Sequence, residues 1–233
     1  MPSLADATVQ ALSLLILGDR DLWEIIGISF RVSVTAIAIA IPPALLTAFF
    51  LAHLEFPGRR VLISLFNTLL SLPAVVIGLV VYLLLSRQGP LGDWRLLFTQ
   101  TAMVVAQVML AFPILVAMSH AAFQAADQRA WETARTLGIA SARAFVMVVG
   151  EVRFGLLAAA LAGFGRIIAE VGASMMVGGN ILHYTRNIPT AIALETSMGN
   201  FAQGIALGIV LLVIAFALNL SLQYFQGRGR LSL

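Results

Sequence analysis

Residues 154–177 read FGLLAAALAGFGRIIAEVGASMMV. The stretch is long enough to cross a bilayer as a helix, which takes about 20 residues, and is apolar apart from one cation and one anion. Those charges, Arg166 and Glu170, stand four apart, so on a continuous helix they project from one face. A charge at bilayer depth costs roughly 2.5 to 3.5 kcal/mol even on the lenient insertion scale, so both must be paired, hydrated, or both. Three roles stand open. The pair can fix the register of this helix against a neighbour, or Arg166 can line a water-filled path for an anion while Glu170 keeps the site from trapping it. The third role is a gate latch that pairs in one conformation only. Gly163, Gly165, Ala169, Gly172 and Ala173 supply small surfaces, three of them spaced by four, which predicts close packing at the centre of a helix bundle.

Composition extends this reading to the whole chain. Of 233 residues 60% are hydrophobic and 11% charged, with mean hydropathy +0.97. Soluble domains carry about 25% charged residues, so a bilayer must solvate much of this surface. Four more stretches, 25–52, 61–86, 99–123 and 201–224, are long and apolar enough to cross. Residues 9–18 are too short to span, predict an interfacial helix, and lack the basic start of a signal peptide. The expectation is an all-α membrane protein, a single transmembrane domain over 1–233 with five transmembrane helices. Pro42, Pro43, Pro73 and Pro113 fall inside three of the spans and predict kinks.

Several chemistries are excluded. Without cysteine there is no disulfide scaffold, iron–sulfur ligation or thiolate zinc site. All fourteen basic residues are arginine, so neither a P-loop nor a Schiff-base lysine can be built, and any ATP must be bound by another subunit. His53, His120 and His183 are too dispersed for a metal site, and no metal or cofactor is expected on this chain. No paired carboxylates or Ser/His/Asp cluster supports an intramembrane enzyme. Asn67, Gln107 and Asn219 lie within spans, where amides glue helices together. Despite a net charge of +3, the arginines are scattered, which argues against nucleic acid.

Their distribution predicts topology. Arg59, Arg60, Arg129, Arg135, Arg143, Arg153, Arg228 and Arg230 fall in alternate connections and at the C-terminus. Arg20, Arg87, Arg95 and Arg186 fall on the other side, with Asp19, Asp21 and Glu24. The positive-inside rule then puts the N-terminus outside and the C-terminus inside.

The insert at 124–153, between the third and fourth spans, is polar and amphipathic. Trp131, Ala134 and Leu137 recur at helical spacing, predicting a short helix with one apolar face, which suits a helix lying on its own bundle. Between the fourth and fifth spans, residues 178–200 are rich in polar groups. Gly178 and Gly179 predict a left-handed helix end, and Pro189 suits the first turn of a short helix reaching about Thr196. This helix either caps the bundle or forms an external gate, with Asn180 beside it and Arg186, Thr196 and Ser197 offering donors to an arriving solute.

The run Glu132-Thr133-Ala134, with Gly138 four residues after Ala134, resembles the Glu-Ala-Ala-x-x-x-Gly signature of ABC importer permeases. Thr133 stands where the signature has alanine, and Val148-Val149-Gly150-Glu151 stands where it continues Ile-x-Leu-Pro. The runs Phe56-Pro57-Gly58-Arg59-Arg60, Leu72-Pro73-Ala74-Val75-Val76-Ile77-Gly78-Leu79 and Ser86-Arg87-Gln88-Gly89-Pro90-Leu91-Gly92 are similar to molybdate and tungstate permeases. Met176-Val177-Gly178-Gly179-Asn180 and Thr190-Ala191-Ile192-Ala193-Leu194-Glu195-Thr196 resemble most the tungstate-uptake branch.

This resemblance implies a type I ABC importer permease in the cytoplasmic (inner) membrane of a prokaryote, with a cytoplasmic coupling helix within about 124–150. It implies that Glu132, Thr133, Ala134 and Gly138 dock on a cytoplasmic ATPase carrying ATP and Mg. It further implies a homodimer of permeases, an extracytoplasmic oxyanion-binding protein, and tungstate as the cargo, with molybdate or sulfate as alternatives. A rival reading, an ATP-independent secondary carrier using Arg166 and Glu170, predicts inverted repeats that the sequence does not display.

Overall fold

A computed structural model describes residues 4–125, 136 and 141–231. All regular structure among them is helical. Helix α1 (Leu4–Leu17) ends at Gly18, whose φ of 74° turns the chain into α2 (Arg20–His53). Asp19 caps α2 by accepting the Leu22 amide at 2.9 Å. Then follow α3 (Arg59–Leu69), α4 (Ala74–Leu85), a 3₁₀ turn (Gly92–Trp94) and α5 (Gln100–Ala125). The remaining elements are α6 (Ser141–Glu151), α7 (Arg153–Ile168), α8 (Gly172–Gly178), α9 (Ile188–Met198) and α10 (Phe201–Leu231).

Helices α2, α5 and α10 are each long and apolar enough to cross a membrane, and two bent pairs raise the count to as many as five. Pro42 and Pro43 lie within α2 and Pro113 within α5. The second span departs from the expected kinked helix, because α3 and α4 meet at 101° across residues 70–73. Pro73 is the N-cap of α4, where its missing N–H costs nothing. The fourth span departs from expectation too. Helix α7 stops at Ile168, and α8 begins only at Gly172. With 16 residues, α7 alone measures about 24 Å, short of the roughly 30 Å apolar core. It meets α6 at a bend of 75°.

Packing follows side-chain size. Ala36, Ala40, Ala44 and Ala48 form a fully buried stripe along α2 at a spacing of four, and α5 contributes Ala102, Ala106 and Ala111 to the same core. In lipid, where apolar side chains gain nothing by leaving solvent, such small residues let backbones approach and gain dispersion contact. Helix α7 lies against α2, α5 and α10, the central position expected of it. The predicted glycine stripe is divided by the break. Gly163 faces Ile37 and Leu115, and Gly165 faces Leu218 of α10, whereas Gly172 and Ala173 face Val75 and Gly78 of α4. Val75, Leu79 and Leu83 on α4 and Leu212, Val213, Phe216 and Leu220 on α10 remain exposed, an apolar exterior suited to lipid.

Candidate functional site

The break in the fourth span is held by polar groups on both sides. Arg166 Nη1 lies 2.7 Å from Glu170 Oε2. The other carboxylate oxygen, Oε1, accepts the Gly172 amide at 2.8 Å and the Ala173 amide at 3.4 Å, satisfying donors that the start of α8 would leave orphaned. Buried Gln107, from α5, donates its amide to the Ile167 carbonyl at 3.3 Å, where α7 ends. Glu170 therefore lies in the break and not on a continuous helix as the sequence suggested, although the ion pair forms. The two partners differ in exposure: the Glu170 side chain is 10% exposed and that of Arg166 44%. A cation on an otherwise apolar segment thus presents itself at the surface of this chain, with one neighbouring anion to offset it.

A second polar cluster is organised by residues 178–200. Gly179 adopts φ 70° as the C-cap of α8, as the glycine pair predicts, and Asn180 follows at φ 50°. The connection is tied to its surroundings at several points. Phe98 donates its amide to the Val177 carbonyl at 2.9 Å, and Gln100 donates to the Tyr184 carbonyl. His183 Nδ1 lies 2.9 Å from Glu24, and Ser29 Oγ accepts the Ile188 amide. Thr185, fully buried, donates to the Gly178 carbonyl and accepts the Ile181 amide. Asn187 and Thr190 form a capping box for α9, with Pro189 in its first turn as expected.

Within this frame Arg186 reaches Glu195, Nη1 to Oε1 at 3.9 Å, and both side chains are largely buried. Glu195 also accepts from Asn200 Nδ2 at 2.9 Å. At that distance Arg186 gains charge compensation without a short hydrogen bond. Its Nε, and Oδ1 of Asn180, are shielded from solvent and have no partner among the described residues. Thr196 and Ser197 are exposed on the last turn of α9, and the Ser197 hydroxyl donates to the Leu194 carbonyl. Glu132, Thr133, Ala134 and Gly138 lie outside the described residues. Among the described residues no cluster of His, Asp or Glu could hold a metal ion.

Gln107 joins two helices, as an amide within a span is expected to, whereas sequence reasoning missed Glu195 as a partner of Arg186. Glu195 stands nine positions from Arg186, a spacing that no periodicity rule connects. The pairing arises because the turn before α9 folds back on the helix.

Residues 40–230 match the family described as the binding-protein-dependent transport system inner membrane component. The chain belongs to that family. Among its relatives in this permease family is the tungstate uptake system permease protein TupB of Peptoclostridium acidaminophilum, 38% identical over 94% of this chain and 96% of that one. A probable anion ABC transporter permease protein of Haloferax volcanii is 39% identical over 92% of this chain and 99% of its own. The fold of the permease family extends to a solved amino acid ABC transporter, which matches with a TM-score of 0.65 at 19% identity over 93% of this chain and 97% of the other. Between them these likenesses span nearly the whole helical chain.

Proposed function

We propose that this chain is the membrane-spanning subunit of an ATP-driven importer of a tetrahedral oxyanion, tungstate foremost. The observation that carries this reading is Arg166, a half-exposed cation on an apolar span whose only charge partner among the described residues is Glu170. Such a pair lowers the barrier to a dianion without forming a site deep enough to hold it. The name of the Peptoclostridium relative supplies tungstate, and that of the Haloferax relative supports the wider anion class.

In this reading two copies of the chain enclose the path, because one chain of up to five crossings has too few helices to surround it. Arg166 and Glu170 line the path, and Asn180, Arg186, Thr196 and Ser197 form its outer gate. The N-terminus lies outside and the C-terminus inside, following the arginines. An extracytoplasmic binding protein delivers the anion. ATP and Mg reside on a separate ATPase, since the chain contains no lysine from which a P-loop could be made. Glu132, Thr133, Ala134 and Gly138 dock on that ATPase. Molybdate and sulfate share the charge and shape of tungstate, and discrimination among them belongs largely to the binding protein.

The test is uptake of labelled tungstate into vesicles containing the assembled system, with molybdate and sulfate as competitors. Uptake that both competitors leave intact supports a tungstate importer. Equal competition by either widens the cargo, and the absence of uptake with labelled tungstate, molybdate and sulfate tried in turn rejects the oxyanion reading.

A further inference from the structure

The connection between α4 and α5 is a small rigid body. Gly89 donates its amide to Ser86, Leu91 to Leu84, Gly92 to Gly89, Trp94 to Leu91 and Arg95 to Gly92, so successive turns lock together. A Cβ at Gly89 would overlap the Leu83 carbonyl oxygen, and one at Gly92 the Ser86 carbonyl oxygen; side chains are excluded from both positions. Arg95 and Phe98 are held at φ 50° and 63°, a conformation costly for residues with a Cβ. Phe98 is anchored by its amide on Val177, by its ring on Gly179 and by an edge contact with Tyr82.

This frame surrounds a recess of about 650 Å³, lined by Arg87, Asp93 and Arg95 together with Gly92, Leu97 and Phe98. Among the described residues neither arginine has a carboxylate within ion-pair distance or a hydrogen-bond acceptor for its guanidinium. Asp93 shares the recess but pairs with neither, leaving one net positive charge. Two guanidiniums offer planar forks of N–H donors, which match the oxygens of a tetrahedral oxyanion. The loop joins the ends of two spans, and Trp94 stands 66% exposed upon it, as tryptophan does at the level of lipid headgroups. Through Phe98 the recess also abuts the segment holding Asn180 and Arg186.

We propose that this recess binds a tetrahedral oxyanion between Arg87 and Arg95, either the free dianion or the phosphate of a lipid headgroup. It is a site separate from Arg166, and its occupancy does not depend on which solute crosses the membrane.

The full chain in neutral detergent is titrated calorimetrically with sodium tungstate and, in parallel, assayed by native mass spectrometry for retained phosphatidylglycerol against phosphatidylcholine. R87Q/R95Q weakens the bound ligand at least about tenfold, because two charge-assisted contacts are lost. D93N, which removes the one negative charge from the recess, tightens the same ligand. A loss confined to tungstate identifies the free anion, and one confined to phosphatidylglycerol identifies the headgroup. Unchanged binding of both in R87Q/R95Q overturns the proposal. Should that variant fail to fold, D93N decides alone: tighter binding of either ligand sustains the site, and unaltered binding of both refutes it.

Discussion

Arg166 and Glu170 meet at 2.7 Å across the end of a helix, and the carboxylate that neutralises the arginine also caps the helix that follows. One residue thus serves an electrostatic and a structural role at the same atom group. The two roles separate by substitution. Glu170→Ala leaves a half-exposed cation without its partner and uncaps α8, whereas Arg166→Ala keeps the cap and leaves a buried carboxylate that still accepts two backbone amides. Thermal unfolding in detergent should show E170A destabilised by about 2–4 kcal/mol, and R166A by clearly less. Equal losses would mean that the cap contributes nothing.

Arg166→Ala should abolish oxyanion uptake in the assembled system while leaving its ATP hydrolysis measurable. Replacement by lysine should restore part of the transport, since charge is kept and the planar fork is lost. Full uptake by R166A would make the pair purely structural.

Glycine packing gives a contrast on the same chain. A Cβ at Gly78 would lie 2.8 Å from the Ala173 Cα, backbone that cannot swing aside, so Gly78→Ala should destabilise by about 1–3 kcal/mol through overpacking of α4 on α8. Gly27, in α2, has open space around the same position, and Gly27→Ala should stabilise by up to about 1 kcal/mol. Melting temperatures of the two variants in one detergent decide the matter, and opposite signs are expected.

The breaks in the second and fourth spans mark the boundary of what the sequence discloses. Helices α2, α5 and α10 were legible because a run of apolar residues longer than a bilayer has one use. The turn and helix around Pro189 were legible because left-handed glycine and first-turn proline act locally. The break after Ile168 carries no proline, and Glu170, the one charged residue in it, reads equally well on a continuous helix. It is stabilised by Glu170 from within and by Gln107 from sixty positions away, neither of which periodicity can assign. For the second span Pro73 signalled a kink, yet a bend of 101° depends on what α3 and α4 pack against. Glu170 was found by its charge in an apolar setting. Glu195 is not legible because a carboxylate on a short helix within a polar connection looks ordinary until its burial against Arg186 is visible.

In the proposed reading, docking on the ATPase is separable from folding. Glu132→Ala and Gly138→Leu should each weaken capture of the ATPase subunit about tenfold or more, the first by removing a charge and the second by adding bulk where the resemblance implies a glycine. Yield and melting temperature of the permease itself should stay close to the parent. Undiminished capture by both variants would assign docking to another segment.

The measurement that bears most directly on the central claim is tungstate accumulation in sealed vesicles holding this chain, the binding protein and the ATPase, against vesicles in which the ATPase is omitted. Accumulation that requires both the ATPase and ATP is the predicted result, and accumulation by the chain without its ATPase would contradict it.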